Sequence, residues 1–168
     1  MSDLRRIARL RVPMGFLFGI VALVFARPTR HTLLWGAAVA IAGELVRIWA
    51  AGHLEKGREV TRSGPYRFTR HPLYLGSTLI GLGLAIASNN LWVAVVVVAY
   101  LAVTLTAAIR TEEAHLTEKF GAAYPDYRAG RGGEVERSFD LSRALRTNRE
   151  YRAALGVLIV LAVLWIKS

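Results

Sequence analysis

Residues 62–83, Arg-Ser-Gly-Pro-Tyr-Arg-Phe-Thr-Arg-His-Pro-Leu-Tyr-Leu-Gly-Ser-Thr-Leu-Ile-Gly-Leu-Gly, start as a polar, basic loop and finish inside an apolar run that continues to about Ser88. Pro72 marks the change. Proline suits the first helical position, where its missing N–H costs nothing, and it drives the preceding residue towards extended backbone. The pattern predicts a helix that opens at Pro72, with Arg70 and His71 at its mouth. The first amides of a helix lack intrahelical acceptors and lie at its positive dipole end. Such a mouth suits an anionic or zwitterionic ligand.

Outward from this stretch, the chain is built of apolar blocks. Of its 168 residues, 54% are hydrophobic, and the mean hydropathy is +0.35. Segments 12–26, 72–88, 91–109 and 153–166 are nearly free of charge, and 32–52 is apolar apart from Glu44 and Arg47. A helix needs roughly 20 apolar residues to span a bilayer, and flanking Arg, Lys, Trp and Tyr extend a shorter one by snorkelling. The expectation is an all-α, integral membrane helical bundle of about five transmembrane helices forming a single domain over 1–168, with a cytoplasmic amphipathic segment. Residues 1–11 read as a basic, amphipathic lead-in that lies on the cytoplasmic leaflet. The N-terminal stretch lacks a small-x-small cleavage pattern before Arg27-Pro28, so it reads as an anchor and not a signal peptide.

The net charge of +10 raises the question of nucleic acid, but its distribution answers otherwise. Arg5, Arg6, Arg9 and Arg11 precede the first span; Lys56, Arg58, Arg62, Arg67 and Arg70 fill the connection between the second and third; residues 110–152 hold more. With a cytoplasmic N-terminus, all three groups fall on the cytoplasmic side, which is the positive-inside bias. The chain has no cysteine, and His31, His53, His71 and His115 show no ligand spacing. No metal and no nucleic acid are expected.

Glu44 and Arg47 share one helix face. Ionisable groups inside a span are costly and are functional candidates by default. Arg47 reads equally well as a structural ion pair or as a group that receives an acceptor's carboxylate or phosphate. Glu44 lies about a turn deeper and reads as a group that orients or deprotonates an amine. Gly76, Gly81 and Gly83 with Ser77 form a small-residue side for close approach of a helix or a ligand. Nothing breaks the fourth helix before Gly121, so it is expected to run past Ile109 as an amphipathic extension. Antiparallel pairing then brings Arg70-His71-Pro72 close to Glu112-Glu113. Residues 130–152, with Arg143, Arg146, Arg149 and Arg152 at intervals of three, read as an interfacial helix on anionic lipid.

These parts make a pocket at the cytoplasmic surface. It offers donors for a carboxylate, carboxylates for an ammonium or a ribose diol, and aromatic faces for a base or a sulfonium cation. No Walker loop, Rossmann fingerprint or Ser-His-Asp arrangement accompanies it.

The run Gly64-Pro65-Tyr66-Arg67-x-x-Arg70-His71-Pro72-x-Tyr74-x-Gly76, followed by Glu112-Glu113-x-x-Leu116 and Phe120-Gly121-x-x-Tyr124-x-x-Tyr127, resembles the isoprenylcysteine carboxyl methyltransferase family. The stretch from Tyr74 to Ile86 is similar to the related phosphatidylethanolamine N-methyltransferases. The match covers roughly residues 60–128. It implies an integral membrane enzyme that uses S-adenosyl-L-methionine to methylate a lipophilic small-molecule or lipid acceptor at the cytoplasmic membrane face. Tyr66, Arg70, His71, Pro72, Tyr74, Glu112 and Glu113 then carry over as cofactor-binding candidates, and Gly81 and Gly83 carry over from the phospholipid enzymes. After Tyr127 the family continues with a Val-Pro-Arg-like segment, whereas this chain has Arg128-Ala-Gly-Arg-Gly-Gly, charged residues and an extra span near 153–166. Two alternatives stay open: an NADPH-dependent membrane reductase of the sterol-reductase kind, which shares a similar Arg-His-Pro element, and a non-catalytic lipid-binding protein.

Overall fold

The structure is a computed structural model that describes residues 17, 19–131 and 137–168. Among these residues the secondary structure is helical, with no strand. Helix α1 covers residues 19–25, α2 is Arg30–His53, α3 is Pro72–Ser88, α4 is Leu91–Phe120, α5 is Ala123–Arg128 and α6 is Tyr151–Lys167; a 3-10 turn spans Gly64–Arg67 and a π-helical turn Arg143–Thr147. Arg30–His53 and Leu91–Phe120 are long and apolar enough to cross a membrane. Helices α3 and α6 have 17 residues each. Two of the five expected spans therefore meet that measure by themselves; the lead-in 1–11, and residues 12–16 and 18 of the first expected span 12–26, lie outside the described residues.

Each boundary has a local cause. Thr29 and Thr32 close a capping box at the start of α2. Asn89 ends α3 in the left-handed region at φ 47°, a conformation asparagine tolerates, and the Asn90 carboxamide oxygen then accepts from the amides of Trp92 and Val93 to start α4. Nothing interrupts α4 until Gly121, so it runs through Ile109 into the polar stretch as one 30-residue helix.

Helix ends alternate between two layers. At one layer the Arg27 amide donates to Ser88 O at 2.8 Å, Asn90 reaches Phe25 O, and Lys167 donates to Leu23 O at 2.5 Å. Ala26, Leu33, Ala87 and Leu164 pack together there. The end of α2 and the starts of α3 and α6 meet at the opposite layer.

Helices α2 and α3 pack backbone to backbone. A Cβ on Gly83 would stand 2.5 Å from Ala40 N and Gly36 O, and one on Gly43 would stand 2.7 Å from Gly76 O. Small residues permit this approach, and dispersion at close range replaces the hydrophobic effect that lipid does not supply. Gly83, expected at the cofactor, is thus enclosed by α2; Gly81 turns the other way, to Leu101 of α4.

The expected interfacial helix over 130–152 is not continuous. Residues 132–136 lie outside the described residues, 137–140 and 148–150 are non-helical, and 141–147 are helical before α6 begins at Tyr151. Arg143, expected on lipid, turns inward: it donates to Gly52 O at 2.6 Å and pairs with Glu55 at 3.0 Å. A carboxylate and the unsatisfied carbonyls at the end of α2 are stronger partners for a partly buried guanidinium than a lipid surface.

Valine at Gly36 or Gly83 is expected to lower stability by about 1–3 kcal/mol through overpacking. Alanine at Gly156, where an added methyl group would meet nothing within 4 Å, is expected to change it by no more than about 1 kcal/mol, in the stabilising direction. Thermal unfolding of the purified full chain in detergent checks both. Equal losses at all three positions would reverse the packing account.

Candidate functional site

The loop after α2 is shaped by a glycine. Gly64 sits at φ +56°, and the His53 ring occupies the place where a Cβ would be. Pro65 and Tyr66 follow, both buried. The Tyr127 hydroxyl donates to Tyr66 O at 2.7 Å, and Arg62 donates to Ala123 O at 2.9 Å. These bonds fasten the loop to α5. His71 then caps α3 with no side-chain hydrogen bond to its first amides, and Pro72 is the first helical residue, as expected.

The centre of the site is the Glu113 carboxylate. Its Oε1 accepts from Arg70 Nη1 at 3.1 Å and from the Tyr124 hydroxyl at 3.2 Å, and it lies 3.1 Å from His71 Nε2. The Arg70-His71 corner and the Glu112-Glu113 pair, 42 residues apart at His71 and Glu113, do meet. Glu112 beside it is exposed, and the Arg70 side chain keeps 39% of its surface open. The Tyr74 ring stands 5.7 Å from the His71 ring.

An apolar groove of about 480 Å³ runs from this corner between α3 and α4. Thr69, His71 and Tyr74 line one end, Leu82 and Val98 the other. Tyr74, Thr78 and Leu82 recur every four residues, so the groove takes one face of α3 while Gly76 and Gly83 give the opposite face to α2.

Glu44 and Arg47 do not line the groove. Arg47 Nη2 and Nε donate to Glu150 at 2.8 and 3.1 Å, and Nη1 donates to Ser77 Oγ at 2.5 Å. Of the two readings of Arg47, the structural pair describes its contacts, with Glu150 as partner and Glu44 at 4.0 Å. Glu44 is buried, and neither carboxylate oxygen has a hydrogen-bond partner. Sequence reasoning missed Glu150, whose only signal was an acid at the edge of the last apolar run. It also left Tyr124 and Tyr127 out of the site, although both stand in the motif that follows the glutamate pair.

Burial, and then the neighbouring Glu113 charge, push the Tyr124 phenol up to about 12. Burial likewise raises Tyr66, with Glu112 adding to it, and raises Tyr127 against the pull of Arg70 and Arg62. These phenols stay neutral donors at physiological pH. A folded-state pKa raised above the ordinary 10.0 makes a stabilising contribution that is complete below that value and is lost as pH rises through the folded one. Thermal unfolding followed from pH 9 to about 12 is expected to show this loss, and Tyr124→Phe to reduce it.

Known proteins share this segment. The chain is 36% identical over 87 residues to the cobalt-zinc-cadmium resistance protein CzcN of Cupriavidus metallidurans, covering 51% of this chain and 39% of that protein. It is 30% identical over 94 residues to the nickel-cobalt-cadmium resistance protein NccN of Alcaligenes xylosoxydans xylosoxydans, covering 55% and 42%. The chain thus spans about two fifths of the length of these relatives. No solved structure matches it. Residues 32–123 match the family model of phospholipid methyltransferases, a segment that holds the tight α2–α3 pair, the Arg70-His71 mouth, Glu113 and the groove. On that match, over more than half of its length, the chain belongs to the phospholipid methyltransferase family.

Proposed function

We propose that this chain transfers a methyl group from S-adenosyl-L-methionine to a lipophilic, membrane-embedded acceptor bearing a carboxylate, amine or thiol. One observation carries the reading: a carboxylate that gathers a guanidinium, an imidazole and a phenol stands at an uncapped helix mouth, at the end of an apolar groove. The donor set fits the cofactor. Arg70 and the first amides of α3 suit its carboxylate, Glu112 and Glu113 suit its ammonium or ribose hydroxyls, and the Tyr66 and Tyr74 rings offer faces to a base or a cation. When bound, the cofactor supplies an electrophilic methyl whose bond to sulfur breaks as the acceptor's lone pair forms the new one.

The protein's share is alignment and exclusion of water. The Glu113 hub holds Arg70, His71 and Tyr124 in one arrangement, so the polar end of the site is preorganised before ligands arrive. The groove accepts an aliphatic portion of the acceptor and brings its polar head to His71 and Tyr74. The basic connection after α2 and the charged region after α4 lie in the layer of the site, which by the positive-inside bias is the cytoplasmic face. We therefore place the chain as a multi-pass membrane protein with its site on that face, among membrane lipids. The relatives are named for metal resistance; among the described residues no group of three or more His, Cys, Asp or Glu is placed to hold a metal ion.

Calorimetric titration of the full chain in lipid nanodiscs is expected to show binding of S-adenosylhomocysteine and none of NADPH. Glu113→Ala is expected to weaken that binding at least tenfold, with Glu113→Gln intermediate. Binding of NADPH alone would favour a reductase. Binding of neither, with Glu113→Ala tolerated, would favour a non-catalytic lipid-binding protein.

A further inference from the structure

We infer that Glu150 is a positioning residue for the mouth of α3, and that the C-terminal segment carrying it is a working part of the site; the inference rests on the cofactor reading above. Arg47 is the link between them. Its Nε and Nη2 are taken by Glu150, while Nη1 donates to Ser77 Oγ at 2.5 Å and approaches Leu73 O at 3.5 Å. Ser77 Oγ also donates to Leu73 O, at 2.9 Å. One guanidinium thereby ties α2 and the start of α6 to the first two turns of α3, at Leu73 and Ser77, two and six residues beyond His71.

Arg47 has a second carboxylate within reach. Glu44 lies 4.0 Å from its Nε, and both Glu44 oxygens are without a hydrogen bond. Glu150 wins because its approach satisfies two guanidinium donors at once and leaves the third nitrogen directed at α3. Without Glu150 the guanidinium turns back along its own helix to Glu44, and Ser77 and Leu73 O lose it. The first two turns of α3 then lose this tie to α2 and α6.

Glu150 is itself held firmly. It is 6% exposed, and its amide donates to Ala144 O at 3.1 Å. The segment before it caps α2: Asn148 Nδ2 donates to Ala51 O at 2.8 Å and to Leu54 O at 3.1 Å, and Arg143 donates to Gly52 O at 2.6 Å. The orphan carbonyls of a helix end are satisfied by the segment that delivers the carboxylate. An appended anchor would need none of these bonds.

The test compares the wild type, Glu150→Gln and the double variant Arg47→Met/Glu150→Met as full chains in nanodiscs. The readouts are thermal midpoint, titration with S-adenosylhomocysteine, and the ¹⁵N resonances of the His71 ring without ligand. Replacing a buried ion pair by apolar residues commonly preserves the fold, so the double variant is expected to unfold near the wild-type midpoint. Its affinity is nevertheless expected to fall at least tenfold, and its His71 resonances to shift, as in Glu150→Gln. A folded double variant with unchanged His71 resonances, or with wild-type affinity, would overturn the inference. If the wild type binds no S-adenosylhomocysteine while His71 shifts in the variants, the cofactor reading fails and the positioning role stands.

Discussion

A single carboxylate oxygen, Glu113 Oε1, receives Arg70 and Tyr124 and lies beside His71. Charge-assisted bonds of this kind are short and directional, and they are demanding about placement. For Glu113 to arrive there, α4 has to run beyond Ile109 by one more turn, at about 1.5 Å per residue. The α3–α4 connection has to be tight enough to bring the two helices back antiparallel, which Asn89 and Asn90 accomplish. The loop before α3 has to present Arg70 and His71 at the same height, which the Gly64 turn and the Tyr127 bond to Tyr66 accomplish.

Helix α3 divides two kinds of packing. Towards α2 it offers glycine, and the backbones touch. Towards α4 it offers Tyr74, Thr78 and Leu82, and α4 answers with Val98, Leu101 and Leu105, so the side chains hold the helices apart and a groove remains. The rigid side fixes the mouth while the open side leaves room for a ligand. Much of α4 otherwise faces outward, with Val95, Val98 and Val103 about half exposed, as suits contact with lipid.

The arginines also divide. Arg137 and Arg143, which fall in the stretch expected on the membrane surface, serve the fold: each meets a glutamate, as Arg47 does, and Arg143 also meets the end of α2. In surroundings of low dielectric such pairs hold geometry because leaving either partner alone is costly. The C-terminal segment, which departs from the Val-Pro-Arg-like pattern of the resembling family, is thus bound into the molecule by polar contacts before α6 begins.

The amino-acid sequence alone determined the all-helical class, the border at Pro72, the unbroken run of α4 to Gly121 and the meeting of the Arg70-His71 corner with the glutamate pair. Each of these follows from local chemistry: a proline that starts a helix, the absence of a breaker, a short turn between apolar runs. Tertiary structure decided the rest. Which glutamate of the pair turns inward depends on helix rotation, and Glu113, not Glu112, faces His71. Gly83 became packing because its face of α3 meets α2, and Arg47 chose Glu150 over Glu44 because α6 returns to that point. Side-chain partners across helices depend on rotation and crossing, and residue spacing within one helix carries no record of either.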